Sequence, residues 1–186
     1  MPTISPLHRC FIAFVLPHAI RKYCSHVQAE LGRRHVRGKF VDPGHCHLTI
    51  HFLGDIPLEE LFRIHDATLP LAGKLREVVF TPVALGSFGR PPRVLFLKLA
   101  DEGGHGKALV AEFRRLAGLS DEKGKEWIAH ATLARFRSSG EAKSWDGATE
   151  LPDPPGSFRP EGIGFFTSVL SDKGAQYTCE RLTLRP

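Results

Sequence analysis

The sequence predicts an α+β fold made of two related lobes, and three observations predict it. A short apolar strand leading into a helix occurs near the start and again from Val94, because RVLFLKLA (93–100) repeats the theme of RCFIAFVL (9–16). The pattern His-x-Thr-x occurs twice, as His47-Leu48-Thr49-Ile50 and as His130-Ala131-Thr132-Leu133. The spacing repeats as well: Arg9 to His47 is 38 positions (47 minus 9) and Arg93 to His130 is 37 (130 minus 93).

The elements follow in order. Residues 9–16 are aromatic and β-branched and stop at Pro17, which suits the first turn of a helix. That helix is predicted from His18 to Leu31, with Ile20, Tyr23, Val27 and Leu31 on one face and Gly32 closing it. In HCHLTIHFL (45–53), strict alternation puts His47, Thr49 and His51 on one face and Leu48, Ile50 and Phe52 on the other. Asp55 is the expected cap of a second helix, with Pro57 in its first turn, Glu59 and Glu60 near its positive end, and an end at about Leu71. Strands are predicted at Val78–Phe88 and Val94–Leu99, then a helix at Gly106–Leu116. Residues 138–160 are rich in Ser, Gly, Pro and charge and read as a short helix and an exposed loop. Gly162–Val169 and Tyr177–Leu184 form a terminal hairpin about Ser171, Asp172, Lys173 and Gly174. The whole chain, 1–186, is expected to be one domain of two duplicated lobes.

Bulk properties bound the function. With 186 residues, 42% of them apolar, the chain can bury one sizeable core or two small packed lobes. No apolar run reaches the roughly 18 residues of a membrane span. Residues 1–8, with Pro2 and Pro6, lack a basic start, an apolar block and a cleavage site, so a cytoplasmic setting is expected. Cys10, Cys24, Cys46 and Cys179 show no metal-knuckle or redox-pair spacing and read as free thiols. Net charge is +5, with Arg33, Arg34, Arg37 and Lys39 in one stretch and Arg90 and Arg93 around a proline pair, which favours a polyanionic partner.

The chemistry lies in the paired motifs. Residues two apart on a strand sit roughly 6.5 to 7 Å apart on one face, so an imidazole and a hydroxyl can reach one phosphate together. Opening a cyclic phosphodiester with water needs one group to take a proton and one to give a proton, and two histidines supply both near neutral pH. Threonine hydroxyls can hold the phosphoryl oxygens without adding charge. One such motif on a strand is commonplace. Two at equivalent places of a repeat are a much narrower coincidence.

With these motifs, the opening RCFIAFVLP, the HLTIHFLGDI about His47, PPRVLFLKL, the HATLARF about His130 and the closing GFFTSVLSDKGAQYTCERL, the chain resembles the two-histidine phosphoesterases. Within them it is most similar to the branch of RNA 2′,3′-cyclic phosphodiesterases, also called 2′-5′ RNA ligases. That resemblance implies a bilobal α+β fold of two pseudo-symmetric antiparallel-sheet lobes, helices on the outer faces and a central cleft. It implies metal-independent hydrolysis of a 2′,3′-cyclic end to a 2′-phosphate, with the reverse ligation as a minor activity and no cofactor. By motif position His47 is the donor to the 3′ oxygen and His130 the acceptor from water, while Thr49 and Thr132 hold phosphate oxygens. Arg135 matches an arginine that often follows the second motif, open to phosphate contact or to a structural ion pair, although strict alternation points it away from His130 unless the strand bulges. Residues 41–46 stand where the family has an asparagine-containing approach. The expected partner is RNA, or a nucleotide, with a 2′,3′-cyclic phosphate, acted on by a monomer without an obligate protein partner or membrane.

Two rivals belong to other classes. His45, His47 and His51 with Cys46 suggest a metal site, but residues along one extended strand do not converge on one ion, and Thr49 interrupts the series. A non-catalytic RNA-binding module would use the basic cleft and let the histidines merely bind phosphate; the intact acid–base pair argues against it.

Overall fold

The computed structural model describes residues 5–120, 126–147, 150–171 and 174–186. Its strands are β1 (Leu7–Val15), β2 (Lys39–Phe40), β3 (His47–Pro57), β4 (Phe80–Phe88), β5 (Val94–Asp101), β6 (His130–Arg135), β7 (Gly162–Ser171) and β8 (Gly174–Leu184). The α-helices are α1 (His18–Arg33), α2 (Leu58–Thr68), α3 (His105–Ala117) and the single turn α4 (Ser139–Ala142). Two four-stranded antiparallel sheets result, in the orders β3-β1-β7-β8 and β2-β6-β5-β4. The predicted α+β class with two antiparallel sheets is what the chain forms. The terminal hairpin is β7 and β8, although Asp172 and Lys173 of its expected turn lie outside the described residues.

The two sheets share a pattern of strand order. Each motif strand lies beside its opening strand, followed by a third: β3-β1-β7 in one sheet, β6-β5-β4 in the other. Neither sheet is built from one half of the sequence, because β4 serves the second sheet and β7 and β8 the first. The helices are exchanged in the same sense. Gln28 of α1 donates to Leu133 O at 2.9 Å in β6, whereas α2 packs on β1, β3 and β8 and α3 touches α2 and β5. Cys10, Ile12 and Phe14 of β1, Leu95, Leu97 and Leu99 of β5 and the apolar faces of the helices share one buried core.

Three local expectations are corrected. Helix α1 passes through Gly32 to Arg33, and the chain reverses at His35, at φ 60. Val36 N–H bonds Leu31 O and His35 N–H bonds Gly32 O, both at 3.0 Å, so burial of Val36 beneath the last turn fixes the stop there. Asp55 does not cap a helix: it lies within β3 opposite Arg9, and α2 begins after Pro57 with no side-chain cap, keeping Glu59 and Glu60 in its first turn. Past Thr68 the chain tightens into a 3₁₀ helix, Leu69–Arg76, with Pro70 in its first turn.

The third correction governs the site. In β3 the ladder to β1 slips by one residue between Ile12 and Ala13, leaving Ile50 without a partner. Thr49 stands opposite Ala13, but His51 stands opposite Ile12, on the core face of β1. A second slip leaves out Leu53, and Phe52 stands opposite Phe11 on the face that carries His47. His51 is therefore turned away from His47 and Thr49, and Phe52 is turned toward them with 58% of its surface exposed. Bulges invert the alternation that sequence patterning assumes.

Candidate active site

His47 opens β3 directly after the turn Pro43–His45, which Asp42 closes by accepting the N–H of Gly44 at 2.8 Å. His47 Nδ1 lies 2.7 Å from His45 O, and His130 Nδ1 lies 2.8 Å from Ile128 O. Both rings use the carbonyl two residues upstream. A carbonyl can only accept, so each Nδ1 carries the hydrogen and each Nε2 is left with its lone pair, the form that takes a proton.

Aromatic rings wall both imidazoles. Phe11 lies 4.8 Å and Tyr177 5.4 Å from His47, centroid to centroid, with Phe166 stacked behind Phe11 at 5.0 Å. Phe88 lies 4.9 Å and Phe96 5.2 Å from His130, both edge-on. Loss of water around the ring is the main reason that the pKa of His47 falls from 6.5 to about 4, with the positive charges of His130, Arg135 and His45 lowering it further. His130 is lowered as well, first by burial and then by Arg135. Both are neutral in the free protein at pH 7.

Thr132 stands opposite Phe96 on β5. The ladder then slips between Leu95 and Phe96, leaving out Leu133, so Arg135 stands opposite Val94, on the same face of β5 as Phe96 and Lys98. The bulge supplies the turn that strict alternation denied Arg135. Its guanidinium bears electrostatically on His47, His130 and Tyr177, from both sheets. Each bulge falls at the same place, immediately after the motif threonine: Ile50 in β3 and Leu133 in β6.

The two motif strands are also tied to each other. Trp127 Nε1–H bonds Thr49 O at 2.9 Å, and the Cys46 thiol reaches Thr132 O at 3.7 Å. Glycines face both motifs across the opening strands: Thr49, Ala13 and Gly164 share one row, Thr132, Phe96 and Gly86 the other. A Cβ on Gly164 would sit 2.4 Å from the Phe166 ring, and one on Gly86 2.7 Å from Phe96.

The structure thus brings His47, Thr49, His130, Thr132 and Arg135 to one place. Sequence patterning missed Phe11, Phe52, Phe88, Phe96 and Tyr177. Alternation in RCFIAFVL separates Phe11 from Phe14 and was a usable signal; nothing in the chain announces Tyr177, 130 positions from His47 (177 minus 47). Among the described residues no group of three or more His, Cys, Asp or Glu is gathered as metal ligands. The expected basic stretch is partly neutralised, since Arg33 and Arg34 both pair with Glu30. No helix among the described residues is long and apolar enough to cross a membrane.

A two-sheet α+β protein that gathers two imidazoles, two hydroxyls and a guanidinium where its sheets meet has the groups of an acid–base catalyst for an anionic ester. The family model of LigT-like phosphoesterases matches residues 15–96. The RNA 2′,3′-cyclic phosphodiesterase of Archaeoglobus fulgidus is 30% identical, over 69% of this chain and 73% of its own, and that of Thermus thermophilus is 32% identical, over 95% and 90%. The crystal structure of Escherichia coli LigT complexed with phosphate superposes with a TM-score of 0.62 at 25% identity, covering 96% of this chain and 97% of that one. The chain belongs to the LigT-like phosphoesterase family.

Proposed function

We propose that residues 1–186 act as one phosphoesterase unit that hydrolyses the 2′,3′-cyclic phosphate end of RNA to a 2′-phosphomonoester, using His47 and His130 without a metal. The observation that carries this reading is the matched tautomer: both histidines spend Nδ1–H on a backbone carbonyl and keep Nε2 for the cleft. Relatives named RNA 2′,3′-cyclic phosphodiesterase and a phosphate complex of a LigT neighbour support the substrate class.

In this reaction His130 Nε2 takes a proton from water as its oxygen bonds phosphorus. The bond from phosphorus to O3′ breaks, and protonated His47 gives its Nε2 proton to O3′. Thr49 and Thr132 donate to the non-bridging oxygens, and Arg135 neutralises the charge that builds on them. The donor needs its proton back, and a bound phosphate anion raises the proton affinity that burial has lowered in the empty cleft. His47, the more desolvated ring, gains most from that anion and is a strong acid once protonated. Reverse transesterification with a 5′-hydroxyl would use the same groups and stays minor in water by mass action. The enzyme is expected to work as a cytoplasmic monomer.

The test is a cyclic-phosphate-ended oligonucleotide incubated with protein in excess EDTA, the product resolved as 2′- or 3′-phosphate. Wild type should give the 2′-phosphate, and the His47→Ala and His130→Ala variants at least about a hundredfold more slowly. Turnover lost on adding EDTA would overturn the metal-free mechanism.

A further inference from the structure

The two bulges after the motif threonines are held by side chains from elsewhere in the chain, and the arrangement is reciprocal. Gln28, buried on α1, points its amide at β6: Nε2 donates to Leu133 O at 2.9 Å and to Val41 O at 2.7 Å. Arg114, on α3, donates to Ile50 O at 3.1 Å. Leu133 and Ile50 are the residues that the ladders leave out immediately after the motif threonines. Gln28 lies 19 positions after Arg9 (28 minus 9) and Arg114 21 after Arg93 (114 minus 93), so the two occupy nearly matching places in the repeat. Each helix follows the opening strand of one sheet and clasps the motif strand of the other.

We propose that Gln28 and Arg114 are positioning residues that hold the two bulges open and so set which side chains enter the cleft. The inference rests on the phosphoesterase reading of the site. A bulge strips the ladder of its regular bonds at one residue and needs a substitute donor for the freed carbonyl. At Leu133 the carbonyl takes two donors, the Val41 N–H and Gln28 Nε2, each at 2.9 Å, so Gln28 ties the bulge to α1, and without the bulge Arg135 would turn to the core face, away from His130. Arg114 supplies a donor at Ile50, and the bulge there turns Phe52 into the cleft and His51 out of it. Gln28 also joins β6 to Val41, so one amide fixes the strand and its edge neighbour together.

A double-mutant cycle tests this, reading kcat/KM on a 2′,3′-cyclic nucleotide with Gln28→Met, Arg135→Ala and the pair. Gln28→Met keeps the length and apolar bulk of the side chain and removes the donor. Gln28→Met should cost about a hundredfold, as displacement of a substrate-binding group does. Arg135→Ala should cost a further factor under about threefold in that background, against a far larger one in wild type. Thermal melts establish that each variant is folded. Arg114→Lys, which keeps a donor, should retain most of the activity that Arg114→Met loses. Additive losses in the cycle, or a folded Gln28→Met with wild-type kcat/KM, would overturn the proposal. Should Gln28→Met not fold, the Arg114 pair decides it: equal activity of Lys and Met overturns it. A wild type that turns over no cyclic phosphate would instead sink the phosphoesterase reading.

Discussion

His47 meets Phe11, Tyr177 and one backbone carbonyl, and its proton affinity follows from them. Because its pKa in the folded protein is about 4 against an ordinary 6.5, the unfolded chain takes up a proton at this position before the folded one does. Folded-state stability is therefore full above pH 6.5 and falls as pH drops from 6.5 to about 4. The melting temperature of wild type should decline more steeply across that window than that of His47→Ala. Parallel declines would show that the ring is not desolvated. Catalytically, His47→Ala and His130→Ala should each lower kcat/KM by about 10²- to 10⁴-fold. Thr132→Val should cost about 10²-fold if its hydroxyl holds a phosphoryl oxygen. The identity of these residues was legible because a histidine and a threonine two apart on a strand must share a face. The rings around them were not legible, since Tyr177 comes from a strand at the opposite end of the chain.

At the scale of elements, the bulges separate what patterning could read from what it could not. Both motif strands were legible from their alternation up to the threonine. Beyond it, Phe52, His51 and Arg135 stand on faces opposite to those that alternation assigns. The reason is physical: the carbonyls at the two bulges take side-chain donors, Gln28 and Arg114, from helices distant in sequence. The end of α1 was misread for a related reason, because burial of Val36 outweighed the freedom of Gly32. Close packing on the third strands leads to another prediction. Gly164→Ala would place a Cβ 2.4 Å from Phe166 and 3.2 Å from Val15. It should destabilise the fold by about 1–3 kcal/mol, as overpacking does, and should displace the Phe166 ring that stacks on Phe11. An unchanged urea midpoint would show that the row has slack.

For the whole molecule, three sequence observations suggested a repeat, and each sheet sets its motif strand beside its opening strand. The exchange of elements between sheets was not legible, because local patterns say which segments are strands and little about which sheet they join. Its consequence is that neither half of the chain is self-sufficient. A fragment of residues 1–120 keeps β1 to β5 but leaves β1 without β7 and β5 without β6. It should show no cooperative thermal transition, and a sharp melt from that fragment would mean that one lobe folds alone. The same exchange brings one histidine from each sheet within the influence of one guanidinium, that of Arg135. Catalysis by the proposed pair would then be a property of the assembled molecule. The most direct test is the dependence of kcat/KM on pH, measured in EDTA with a cyclic-phosphate-ended oligonucleotide. Two histidines working as acid and base predict a bell in wild type, with the residual activity of His47→Ala and of His130→Ala each losing one limb. A flat profile, or a bell unchanged in either variant, would contradict the two-histidine mechanism.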